Sequence, residues 1–481
     1  MTCITTRTGF VLLVALGLVS LQAATSEAKS RFTQDPYPST YHAIASGPVL
    51  IEHATVLTGT GERLDDADVL LQDGKVAAVG RGLSAPANAI RIDGDGRWVT
   101  PGIIDVHSHL GVYPSPGMKA HGDGNEATAP VTANVWAEHS IWPQDPGFQT
   151  ALAGGITSLQ ILPGSANLVG GRGVTLKNVP ATTYQAMKFP DAPWGLKMAC
   201  GENPKRVYGQ KGGPSTRMGN VAGYRAAFID ASEYLKKNQP RPEQKKQKHW
   251  WRRAKGDDKA DSAGDSGGKR DLKLDTLAGA INGEIRVHIH CYRADEMATM
   301  LDLAREFGFK IAAFHHGVEA YKVADRLAAE NVCGALWADW WGFKMEAFDG
   351  IQENIALVDR PANSCAIMHS DSEEGIQRLN QEAAKAMASA KRMGIDIAPE
   401  HAIGWLTRNP AKAMGIDNVT GTLEVGKMGD VVVWNQDPFS VYAHAEQVYI
   451  DGARIYDRND RTRQPVSDFM LGQEAAMGGA E

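Results

Sequence analysis

Between residues 99 and 415, short apolar runs alternate with longer stretches of helical spacing. The runs are Ile103–Val106, Ser158–Leu162, Gly195–Ala199, Ile285–His290, Lys310–Phe314, Val332–Trp337 and Ala366–His369. Each is four to six residues long, the length of a buried strand. Apolar positions at helical spacing follow several of them, in Ala294–Phe307, Val318–Glu330 and Ile376–Met393. Strand–helix alternation sustained over about 300 residues predicts an α/β fold, a (β/α)8 TIM-like barrel. In such a barrel, reactive side chains collect at the C-terminal ends of the strands.

The flanks have a different texture. Val49–Leu57, Ala67–Leu71, Lys75–Val79 and Ala89–Ile92 read as short strands, with Asp73-Gly74 as a hairpin turn. Gly421–Trp434, Val448–Ile450 and Ile455-Tyr456, with Asp451-Gly452 as a second turn, match them at the far end. These segments predict one small β-sandwich assembled from both termini, from residues 29–98 and 416–465, around the 99–415 barrel. Residues 466–481 are left as a tail. One polar stretch interrupts the barrel pattern at residues 236–275. It is too poor in apolar residues to build a core and is expected to be a mobile insertion between the fourth and fifth strands; Trp250-Trp251 would pin part of it down.

The first residues read as a targeting segment. Arg7 precedes the apolar run Phe10–Leu21, and small residues follow at Ala23, Ala24 and Ala28. That pattern predicts a secretory signal over residues 1–28, with no membrane anchor after cleavage and a periplasmic or secreted mature protein. The formal charge of −6 gives no basis for nucleic-acid binding. The expected partner is a small-molecule or peptide-like substrate, and a homo-oligomer is left open. Cys200, Cys291, Cys333 and Cys365 are widely spaced inside apolar runs. An even number in an exported chain permits disulfides, but the spacing matches no framework, and the four read as buried core thiols.

The chemistry concentrates at strand ends. His107 and His109 close the first run, and side chains at i and i+2 of a strand share a face, so both imidazoles can reach one ion. The fifth run ends in His288-Ile289-His290, the sixth in His315-His316, and the last in His369-Ser370-Asp371. Neutral imidazole and carboxylate suit one or two divalent ions, zinc by default, with manganese, iron or cobalt as alternatives.

On these residues the chain resembles the amidohydrolase superfamily, near its imidazolonepropionase-like and prolidase-like metal-dependent hydrolases. The landmarks are Pro101–His109, the His290 and His316 strands, His369-Ser370-Asp371, Leu406–Ala411, and Gly421–Lys427 leading into Asp430. The resemblance implies His107 and His109 as first-strand ligands. It selects His290 over His288 and His316 over His315, and it makes Asp371 the eighth-strand carboxylate. Binuclear members carry a carboxylated lysine on the fourth strand, which implies Lys197 as the bridge, with Glu202 as the alternative carboxylate. It also implies a metal-bound hydroxide as nucleophile and Asp371 as general acid/base. Tyr292 is implied as a substrate contact. From their placement, Arg293 is a candidate for a substrate carboxylate or equally for helix-start packing, and Trp337 for an apolar wall or equally for helix packing; His288, His315 and His369 are candidates for orienting the ligands. The expected reaction is hydrolysis of a non-aromatic C–N bond, as in a dipeptide or N-acyl amino acid. Cyclic-amide hydrolysis, deamination, or a silent binding protein on the same fold are the alternatives.

Overall fold

The computed structural model describes residues 31–115, 117–238, 269–340 and 342–464. The expected signal, the centre of the 236–275 insertion with Trp250-Trp251, and the tail lie outside the described residues.

The chain first lays down β1 (Val49–Leu57), β2 (Arg63–Gln72), β3 (Lys75–Gly80), β4 (Ile90–Asp93) and β5 (Trp98–Pro101). The barrel follows as β6 (Ile103–Ser108), β7 (Ile156–Ile161), β8 (Val169–Lys177), β9 (Gly195–Ala199), β10 (Arg286–Cys291), β11 (Ile311–His316), β12 (Cys333–Leu336) and β13 (Ala366–Met368). The helices that follow its strands are α1 (Pro146–Ala153), α2 (Tyr184–Met187), α3 (Glu202–Tyr208), α4 (Arg217–Asn238), α5 (Leu272–Ile281), α6 (Ala294–Phe307), α7 (Ala324–Ala329), α8 (Asn354–Val358), α9 (Leu379–Arg392), α10 (Pro399–Ala402) and α11 (Arg408–Met414). Strands β14 (Val431–Trp434), β15 (Ala445–Ile450) and β16 (Ala453–Asp457) then return to the first sheet.

That sheet has the order β16-β15-β14-β5-β1-β2-β3, with β4 beside β1. Strands from both ends of the chain therefore share one domain, as the sequence predicts. The ladders join them into one continuous sheet. β1 links its halves, pairing with β4 through Val49–Glu52 and with β5 through Thr55-Val56. Val49, Ile51, Val56, Val69, Val99, Val431 and Val433 fill its core, as β-branched residues on a pleated surface do.

The barrel sheet runs β13-β12-β11-β10-β9-β8-β7-β6. It departs from a regular (β/α)8 in one strand. β8 is antiparallel to both neighbours and contains Gly170-Gly171-Arg172-Gly173. Those glycines permit close approach: a Cβ on Gly171, at φ 121°, would stand 2.4 Å from the Val135 carbonyl oxygen. Helices α4 and α5 take the two ends of the 236–275 segment, so Lys236–Asn238 and Leu272–Asp275 are helical.

The cysteines also depart from the expectation. Cys200 pairs with Cys291 and Cys333 with Cys365 as disulfides, so none of the four is a free thiol. Each bridge joins neighbouring parallel strands or their ends.

Lys177, fully buried at the base of β8, fastens the barrel to the end-sheet. Its ammonium lies 2.7 Å from Asp451 and 3.4 Å from Asp430, and Tyr41 donates its hydroxyl to Asp451. Removing one partner of a buried charge cluster leaves the others uncompensated. Lys177→Met is expected to cost about 3–5 kcal/mol of stability in denaturant unfolding. A loss below about 1 kcal/mol would mean the cluster behaves as an exposed pair.

Candidate active site at the barrel strand ends

The C-terminal ends of β6, β9, β10, β11 and β13 bring His107, His109, Lys197, His290, His316 and Asp371 together. Asp371 follows β13 and its backbone N–H donates to the carbonyl of His107, 3.1 Å away, so first and last strand ends are tied. Its Oδ1 lies 3.0 Å from His109 Nε2 and 3.2 Å from His107 Nε2, and Oδ2 lies 3.8 Å from His316 Nε2. His107, His316 and Asp371 converge closely enough to hold one ion. His107 Nε2 is also 3.2 Å from Lys197 Nζ, which donates to the Pro163 carbonyl at 3.0 Å. His290 stands with its ring 4.6 Å from that of His316.

Alternation along β11 would send His315 and His316 to opposite faces. His316 instead has φ 72°, a conformation that non-glycine residues seldom adopt, and the next residue, Gly317, has φ 37°. Both imidazoles therefore turn inward. Asp371 repeats the device at φ 55°. Backbone strain at two metal-type side chains is the kind of cost concentrated at functional sites.

Hydrogen bonds set which ring nitrogen faces the centre. His109 Nδ1 donates to the Leu162 carbonyl at 2.8 Å, which leaves Nε2 toward Asp371. His369 Nδ1 donates to the Leu336 carbonyl at 2.9 Å, so its Nε2 accepts from His316 Nδ1 at 3.0 Å and frees His316 Nε2. His107 Nδ1 meets His315 Nδ1 at 2.9 Å, and His315 Nε2 meets His288 Nδ1 at 2.9 Å. A donor order running His107→His315→His288 satisfies both bonds and keeps the His107 Nε2 lone pair facing Asp371 and Lys197. His288, His315 and His369, the three candidate orienting residues, thus each touch a ligand candidate or the chain that holds one.

Burial governs the protonation. His107, His290, His315 and His316 are held well below the usual imidazole range by desolvation, His288 falls to about 3 and His369 to about 4, so the rings are neutral at pH 7. Burial also pushes the Lys197 ammonium down to about 8. Asp105, a residue the sequence reading passes over, is pushed up to about 7 by complete burial. It accepts from the Ser370 hydroxyl and from the backbone N–H groups of His107 and Ser370, bracing both ends of the site. The signal was its place two residues before His107 on the same strand face.

The remaining candidates separate. Tyr292 is buried with its ring stacked on His316 at 5.4 Å, Trp337 stacks on the same imidazole at 4.3 Å, and the two aromatic rings lie 6.0 Å from each other. Trp337 also donates Nε1–H to the Ser370 carbonyl. Glu202 opens α3 at the margin, 3.7 Å from Lys344, and takes no part in the ligand cluster. Arg293 pairs with exposed Asp295 at 3.0 Å at the start of α6, the helix-start arrangement. Two further residues escaped the sequence reading: Asn203 donates to Ser165 Oγ at 2.7 Å and lies 3.3 Å from His290 Nε2, and Lys344 stacks over Tyr292 at 4.1 Å. Of the cluster, His109 and Asp371 keep 18% and 23% of their side chains exposed, so the site opens on their side.

A barrel with imidazoles and a carboxylate gathered at its strand ends, beside a sheet from both termini, is an architecture shared with known proteins. The Amidohydrolase family model matches residues 366–456, which contain Asp371 and the returning strands. The crystal structure of an amidohydrolase from Thermotoga maritima MSB8 is 35% identical, with TM-score 0.74, over 85% of this chain and 100% of that one. The amidohydrolase tasK of Hapsidospora irregularis is 32% identical over 449 residues, 85% of this chain; the chain spans 43% of that relative's length. A prolidase crystallised with N-methylphosphonate-L-proline, at 14% identity and TM-score 0.50, shares the fold, over 85% of this chain and 100% of that one. The chain belongs to the amidohydrolase family.

Proposed function

We propose that this chain is an exported metal-dependent hydrolase that cleaves an amide or peptide-like C–N bond. The observation that carries the reading is the convergence of His107, His109, His316 and Asp371 around one point, with His290 and Lys197 beside them.

The residues fit a divalent ion. His290 Nδ1 is buried with no hydrogen-bond partner among the described residues, a costly state for a ring nitrogen that a metal bond would relieve. His107, His109 and His316 have Nε2 left free by bonds at Nδ1, the arrangement that metal-binding histidines use. His107, His109, His290, His316 and Asp371 would hold the ion or ions, with Lys197, once carboxylated, as the bridge. A bound divalent ion would supply Lewis acidity to the scissile carbonyl and to the attacking water.

The chain's own groups do the rest. Asp371 accepts a proton from the attacking water at Oδ2, the oxygen farther from His107 and His109, and delivers it to the leaving nitrogen. Its tie to the His107 carbonyl and the brace from Asp105 through Ser370 fix the carboxylate's approach. Tyr292 and Trp337 pack beside each other against His316 and form a dry wall beside the reacting atoms.

The test is elemental analysis of the purified protein, followed by turnover on dipeptides, N-acyl amino acids and lactams. Metal near two equivalents with dipeptide or N-acyl hydrolysis is the expected result. One equivalent with activity confined to lactams or deamination substrates moves the reading to that chemistry. No metal after reconstitution overturns it.

A further inference from the structure

The disulfide Cys200–Cys291 sits back-to-back with the candidate ligands. Side chains alternate along a strand, so on β10 His290 faces the barrel interior while Cys291 faces outward. On the neighbouring strand Lys197 faces inward and Cys200, three residues on, faces outward. The bridge joins the two strand ends at a Cα separation of 5.2 Å, closing a loop of sequence separation 91. Around it the backbone is stitched to the site: Cys200 N–H donates to the His290 carbonyl at 2.9 Å, and Gly317 N–H, next to His316, donates to the Cys291 carbonyl at 3.1 Å. From Cys200 the chain turns through Gly201, at φ 78°, into α3, whose Asn203 reaches His290.

Both cysteines are buried, and Cys200 lines a cavity. A cavity of about 220 Å³ between α4 and α6 has Cys200, Tyr224 and Met300 among the buried residues of its floor and exposed Arg217, Met218 and Thr299 at its mouth. It is wide enough for a small thiol; Arg217 at the entrance is paired with Asp295 at 2.9 Å and Glu296 also lines the cavity, so the entrance selects for size and not for an anionic charge. The second disulfide, Cys333–Cys365, lies at the opposite ends of its strands, away from the ligand cluster.

We propose that Cys200–Cys291 is a thiol-exchange site that clamps the metal centre, addressed by low-molecular-weight thiols through the α4–α6 cavity. A thiolate entering the cavity attacks Cys200 Sγ, the Sγ–Sγ bond breaks, and the electron pair leaves on Cys291 Sγ, which takes up a proton. A second thiolate then attacks the external sulfur of the mixed disulfide, the Cys200 Sγ leaves and takes up a proton, and the two external thiols depart joined as a small-molecule disulfide. Two electrons pass from the two external thiols to the protein pair. A small-molecule disulfide runs the sequence in reverse. With the bridge open, β9 and β10 are held at that point by backbone hydrogen bonds alone, and Lys197 and His290 lose their fixed separation.

The clamp's effect on metal rests on the hydrolase reading; the exchange site itself does not. Intact protein, loaded with zinc, is incubated with dithiothreitol, and each cysteine pair is followed by alkylation and mass spectrometry while released zinc is read with a chromophoric chelator. Opening of Cys200–Cys291 is expected to accelerate zinc release by about tenfold or more, the effect of losing support behind a ligand. The double variant C200S/C291S should release zinc at that faster rate with or without thiol, and C333S/C365S should keep the thiol response. Thr299→Trp, which fills the cavity mouth, should slow reduction of the Cys200 pair several-fold. Zinc release that is unchanged when the pair opens overturns the clamp. A pair that resists thiols in the folded protein, or a Thr299→Trp rate equal to the parent's, overturns the exchange site. If the protein takes up no zinc, the hydrolase reading fails, and the reduction rates of the parent and Thr299→Trp proteins still decide the exchange site.

Discussion

Asp371→Asn is expected to lower kcat by about 10²- to 10⁴-fold, the range carried by a positioned proton-transfer group. Asparagine keeps the shape and one oxygen of the side chain but cannot accept the water proton. Oδ1 sits 3.0 and 3.2 Å from two histidine nitrogens, and the amide can place its oxygen there, so much of the metal should remain. The measurement pairs kcat with metal per chain on the same sample. Loss of turnover with metal retained assigns Asp371 to proton transfer. A metal-replete Asn variant that turns over like the parent removes it from the chemistry, and a variant that loses metal and turnover together makes it a ligand first. Because the side chain is only 23% exposed and its backbone is tied to His107, a displaced loop is a poor explanation for any loss.

The barrel was legible because its strands are buried on both faces and therefore read as unbroken apolar runs. The strand-end histidines stood out against that background, since a polar ring there displaces a packing residue. β8 was not legible. Gly170-Gly171-Arg172-Gly173 has none of the β-branched texture of a strand, and its conformation is imposed by close packing against Val135 and by the ladders to β7 and β9. The disulfides were hidden for a related reason. Their partners lie 91 and 32 residues apart, and only the strand order makes them neighbours. Choosing between adjacent histidines was the subtlest case. Period-two logic gives one inward ring for His315-His316, but the left-handed turn at His316 brings both inward, one toward Asp371 and one behind His107. Arg293 was open to two readings in the sequence, a cation for a substrate carboxylate or helix-start packing, and in the fold it pairs with Asp295 at the start of α6.

His107→Ala should abolish tight metal binding altogether, because this one ring joins every part of the cluster. Nε2 faces His109, Lys197 and Asp371 within 3.3 Å, and Nδ1 leads to His315. Alanine removes a donor and leaves His315 Nδ1 buried without its partner, so the pocket loses both a bond and the order of the chain behind it. His315→Gln makes a graded comparison. It spares every proposed ligand but breaks the histidine chain that fixes the His107 tautomer, and an outer partner of this kind is worth about 10- to 100-fold in metal affinity. Competition with a chelator of known affinity separates the two: the alanine variant should hold no zinc under conditions where the parent is full, and the glutamine variant should fall between. Equal affinity for His315→Gln and the parent would show that the ring behind His107 only fills space. Full zinc occupancy in His107→Ala would move the metal centre away from β6 and take the proposed hydrolase mechanism with it.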